Sequence, residues 1–144
     1  MLRPVPRRAR FAVVDDGYEA VVVWEFDVAV PSLPSALREI RRAVEAATRG
    51  VLDSTSREQV VLIANELATA AIANGRGDDT LDVHVEQAED RVAIEVTCWD
   101  LDYQEVMADT AVGLLDGISV AWGVSQEGTS THFWAHVPVA AAAS

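Results

Sequence analysis

Val60-Val61-Leu62-Ile63-Ala64-Asn65-Glu66-Leu67-Ala68-Thr69-Ala70-Ala71-Ile72 is apolar on nearly every side of a helix and carries one carboxylate near its middle. A helix apolar all round belongs inside a domain, between other elements. Ser56, with Gln59 three residues on, predicts a capping box at its start. Asn74-Gly75-Arg76-Gly77-Asp78-Asp79 reads as the loop after it. Within such a run Glu66 is costly unless it is paired, wetted by a cleft or neutral. It is therefore either on an exposed side of the helix or a carboxylate at the lip of a cleft, where it can serve as a general base.

Upstream, Leu33, Leu37, Ile40, Val44 and Ala47 recur at spacings of three and four, with Arg38, Glu39, Arg41, Arg42 and Glu45 between them. That pattern predicts an amphipathic helix, capped by Ser32 or Ser35 and ended by Gly50. Phe11–Val14 and Ala20–Phe26 flank Asp15-Asp16-Gly17 and read as a hairpin, stopped by Pro31 and Pro34. Downstream, Leu81, Val83 and Val85 alternate with Asp82, His84 and Glu86. Val92, Ile94, Val96 and Cys98 alternate with Ala93, Glu95 and Thr97. Ala88-Glu89-Asp90 joins these two strands into a second hairpin. Residues 99–109 are acidic and irregular, and residues 110–119 fit a short helix. Val120–Ser125 and His132–Val137 fit a last strand pair around Gln126-Glu127-Gly128.

The predicted fold is α+β: a two-layer sandwich with about three helices on one face of a mostly antiparallel sheet. One domain over residues 11–139 is expected, with residues 1–10 a basic flexible tail and residues 140–144 a second tail. The 144 residues match the common size of one domain. No apolar run approaches the ~18 residues of a membrane helix, and the start lacks the form of a secretory signal. The lone Cys98 fits a reducing compartment, so a cytoplasmic location and no membrane partner are expected.

Charge removes further classes. Eleven cations against twenty-three anions give −12. All the cations are arginine, which excludes Schiff-base chemistry and any phosphate-gripping lysine. Residues 92–144 hold no cation, so direct nucleic-acid binding by this half is not expected. His132 and His136 share a strand face but lie about 13 Å apart at ~3.3 Å per residue. His84 has no cysteine partner, so no metal site is expected from the histidines. Cys98 falls on the apolar phase of its strand and reads as core. Trp24, Trp122 and Trp134 read as mostly core, while Trp99 borders the acidic segment.

Taken together, these stretches resemble the histidine-kinase-type ATPase fold in the form of the bacterial anti-sigma factor serine kinases. Val60–Ala71 resembles that family's helix with an apolar run followed by S-E-L-x-x-N-A. Residues 30–47 resemble its first helix, after the first strand. Ile94-Glu95-Val96-Thr97-Cys98-Trp99-Asp100 resembles the strand ending in its adenine-reading aspartate. Ile118-Ser119-Val120-Ala121-Trp122-Gly123-Val124 is similar to the "L-A-x-x-W-G-V" ending of its last helix, and His132–Val137 to its closing strand. The resemblance spans roughly residues 20–138. It implies ATP and magnesium as cofactors, Glu66 as catalytic base and Asp100 on the adenine. It also implies a sigma factor or an antagonist protein as partner, with homodimerisation open.

The pattern then departs from the family. The magnesium-holding asparagine, four residues after the base, is Ala70 here. Asn65 precedes the base by one residue and points elsewhere on the helix. Asp100 is followed by Leu101-Asp102-Tyr103-Gln104 without the family's glycines. The G-R-G-L motif falls on Asp109-Thr110-Ala111-Val112, and a two-residue shift recovers only Gly113-Leu114. Glu66, Asn65, Asp100 and Gly113 are thus the candidate site residues. A regulatory partner-binding protein with an impaired ATP/magnesium site is the expected function. An active ATP-dependent serine kinase using Glu66 is the alternative.

Overall fold

The computed structural model describes residues 2–4, 11–13, 19–74, 80–99 and 108–142. The strands are β1 (Leu2–Pro4), β2 (Phe11–Val13), β3 (Glu19–Pro31), β4 (Thr80–Ala88), β5 (Arg91–Trp99), β6 (Ala121–Glu127) and β7 (Ser130–Pro138). The helices are α1 (Ala36–Thr48), α2 (Ser54–Asn74) and α3 (Asp109–Ile118). The sheet runs β1-β3-β4-β5-β7-β6, every described pairing is antiparallel, and β2 pairs with β3. The α+β two-layer architecture is as the periodicities predict.

The strands alternate because one face of the sheet is dry. Phe26, Val28, Leu81, Val83, Val85, Ile94, Val96, Phe133 and Ala135 are buried against Ile40, Val44, Ile63, Ala64, Leu67 and Ala71 of α1 and α2. The opposite phase carries Glu25, Asp27, His84, Glu86, Glu95, His132 and His136, and no described helix covers that face. Trp24 reaches the core after a register shift between Val22 and Trp24. Its indole N–H donates to Gln87 Oε1 at 2.6 Å, which satisfies a polar atom within apolar packing.

α1 ends as its glycine predicts: Gly50 takes φ +76°, a left-handed conformation that costs glycine little. α2 starts differently from the capping box expected at Ser56. Asp53 is the capping residue, and its Oδ1 accepts the Ser56 backbone N–H at 2.7 Å. That bond, and then the Ser56 hydroxyl, hold the Asp53 carboxyl below its ordinary pKa. A carboxylate is the better cap because it meets the positive end of the helix dipole.

Both expected tails contain ordered pairing. Leu2–Pro4 pairs with Phe26–Val28 on β3. At the other end, Ala140–Ala142 docks on the α1–α2 turn. Asp53 N–H donates to Ala140 O, Ala142 N–H to Val51 O, and Ala140 N–H to Ser56 Oγ. Backbone groups at the partly buried α1–α2 turn need partners, and Ala140–Ala142 supply them. The Trp122-Gly123-Val124 motif, similar to a helix ending, lies instead on β6. Gly123 opposes Trp134 there, and α3 has already stopped at Ile118.

Candidate functional site

α2 carries three of the quantities that the sequence singled out. Glu66 is half-buried on the flank of the helix that Ala70 shares one turn later. Asn65 lies about 100° away around the axis. Its Oδ1 accepts a hydrogen bond from Arg41 Nη1 at 2.9 Å, so its amide is turned toward α1. The Thr69 hydroxyl donates to the Asn65 carbonyl within its own helix at 2.7 Å. Ala70 is 9 % exposed and has no side-chain oxygen. Magnesium demands near-octahedral oxygen ligation. The described residues around Glu66 therefore do not fit a magnesium ion held from this helix. Gly113 lies mid-way along α3, and a Cβ built on it meets open space, so no close approach requires glycine there. Asp100 lies outside the described residues, as do Leu101–Gln104. The structure thus leaves Glu66 and Asn65 on different sides of α2.

Between α1 and α2 is a groove of about 360 Å³, with Val61 and Leu62 flanked by Arg41, Arg57, Glu45 and Glu58. It lies on Asn65's side of α2 and does not include Glu66.

A second constellation sits on the open face of the sheet, where strand register lines up polar residues. One row runs Asp27, His84, Glu95, Trp134, Gly123. The next runs Glu25, Glu86, Ala93, His136, Ala121, and a third runs Ala29, Asp82, Thr97, His132, Ser125. His84 is the hub. Its Nδ1 is 2.6 Å from Asp27 Oδ1, and its Nε2 is 3.6 Å from Glu86 Oε2 and 3.8 Å from Glu25 Oε2. The Glu86 carboxylate, and then Asp27, push the imidazole up to about 9, against burial, which works the other way. Asp82, on the same face, is raised by its own burial and by the charge of Asp27. His132 is engaged separately: Nδ1 lies 3.0 Å from Thr97 Oγ1 and Nε2 3.0 Å from Ser130 Oγ.

The sequence located His84 and Glu86 on one strand phase but could not see Glu25 and Asp27 beside them. The signal was present in the shared outward phase of Glu25, Asp27, His84 and Glu86, but using it required the register of their strands. Cys98 is core as predicted, 1 % exposed. No family model matches the chain, and no curated protein matches it.

Proposed function

We propose that this protein is a regulatory partner-binding domain of the anti-sigma type, in which the nucleotide machinery of the family it resembles is impaired. The observation that carries the reading is Ala70: one turn after the candidate base, at the place of the metal-holding asparagine, stands a buried side chain with no oxygen. Neither Asn65 nor Thr69 replaces it, because their polar atoms serve Arg41 and the helix backbone. What the helical layer retains is a surface for protein. The α1–α2 groove presents Val61 and Leu62 between two arginines and two glutamates, a mixed apolar and charged rim of the kind that docks a helix. The partner we infer is a sigma factor or an antagonist of one. Glu66, half-buried on α2, and Asp100 in the sequence are the features that favour a working serine kinase instead.

Calorimetric titration with ATP, with and without magnesium, tests the reading. Absence of binding at millimolar ATP is the expected result. Micromolar, magnesium-dependent binding overturns it and restores the kinase, with Glu66→Gln as the next variant. For the partner, a purified sigma factor or antagonist should bind the full chain, and Leu62→Glu should abolish that binding while leaving the circular dichroism spectrum intact.

A further inference from the structure

We propose that Glu25, His84 and Glu86 form a binding site for a divalent transition-metal ion of the zinc type on the open face of the sheet, with Asp27 as the residue that orients the imidazole. The donor set is mixed: one ring nitrogen and two carboxylates, whose ligand atoms all lie within 4.8 Å of one another. Bonds of about 2.0–2.2 Å at a tetrahedral ion separate neighbouring donor atoms by roughly 3.3–3.6 Å. The Nε2–Oε2 distance of 3.6 Å to Glu86 already lies at the edge of that range, and the 3.8 Å to Glu25 needs only slight closure.

The orientation of the ring supports the same reading. Asp27 Oδ1 lies 2.6 Å from Nδ1 and favours the proton there, so the proton a metal ion displaces is the one on Nε2, which faces the two glutamates. A carboxylate behind the distal nitrogen of a ligating histidine is the usual outer partner of such sites, fixing the tautomer and raising the basicity of the ligand. Glu25, with a side chain only 9 % exposed, brings its Oε2 to the imidazole from the next row.

The scaffold is rigid where it needs to be. Asp27 pairs directly with His84 and Glu25 with Glu86, all on two adjoining strands in the interior of the sheet. Two like charges directly opposite across strands repel each other, and a cation held between them offsets that repulsion. Three protein ligands leave a fourth position open to water or a small anionic ligand. His84 and Glu86 also line a depression of about 570 Å³, which they share with Glu95, Ser125, Trp134 and His136.

The test is titration of the chelator-stripped full chain with Zn²⁺ by calorimetry, and with Co²⁺ by visible absorption. One ion per chain at micromolar affinity is expected, with cobalt bands of tetrahedral intensity. His84→Gln and Glu86→Gln should each weaken binding at least about ten-fold and remove the cobalt bands. Asp27→Asn should weaken it by about ten- to a hundred-fold while retaining the bands. His132→Ala and His136→Ala should leave affinity unchanged. No binding at high micromolar Zn²⁺ overturns the proposal, as does binding that survives His84→Gln or that is lost in the His132 or His136 variants. Circular dichroism of each variant establishes that it is folded, and Glu86→Gln serves where His84→Gln is not.

Discussion

Asp27 Oδ1 lies 2.6 Å from His84 Nδ1 across two directly paired strands, so a histidine in the interior of the sheet sits inside a ring of carboxylates. Its pKa, raised to about 9 from 6.5, makes stability depend on pH. A group whose folded pKa is raised contributes stability that is complete below about 6.5 and is lost as pH rises through about 9. Urea unfolding with chelator present should show stability falling across that window, by at most about 3 kcal/mol. His84→Gln should flatten the slope there, and an unchanged slope would remove His84 from the account.

Gly123 faces Trp134, and a Cβ at that position would lie 2.8 Å from the indole Cζ2. The ring is too stiff to absorb the contact without moving. Gly123→Ala should cost about 1–3 kcal/mol and alter the near-ultraviolet circular dichroism. An unaltered spectrum and midpoint would mean that Trp134 moves freely on the open face.

Ala140–Ala142 brace the α1–α2 turn. Removing residues 140–144 deletes the acceptor for Asp53 N–H and the donors to Val51 O and Ser56 Oγ. A loss of about 1–2 kcal/mol is expected, because exposed groups recover part of the hydrogen bonding in water. A truncated chain with the parent's denaturation midpoint would show that the segment contributes nothing.

Leu67 is fully buried beneath the sheet, one residue after Glu66. Leu67→Ala should cost about 2–5 kcal/mol by leaving a cavity. Leu33, expected on the buried stripe of the first helix, is 42 % exposed just before α1 begins. Leu33→Ala should therefore change stability by less than about 0.5 kcal/mol. Comparable losses at the two positions would contradict this assignment of the core.

Much of the architecture was legible because its cause is local. Alternation in Leu81–Glu86 and Val92–Cys98 sets which face is dry, and the spacing of Ile40 and Val44 does the same for α1. Asp53 displaced Ser56 as the cap by a choice among neighbouring residues that differ by only a fraction of a bond's worth. The pairing of Leu2–Pro4 and Ala140–Ala142 was not legible, since backbone hydrogen bonds leave little mark on composition.

The sequence by itself determined the layer architecture, the buried central helix with one carboxylate, and the missing oxygen at Ala70, because periodicity and side-chain chemistry are properties of the chain. Only the tertiary structure decided that Asn65 turns to Arg41 and that Asp27 and Glu25 join Glu86 around His84. Those relations join residues 24 and about 60 positions apart, and they arise from helix rotation and strand register, which are fixed by packing the whole domain at once.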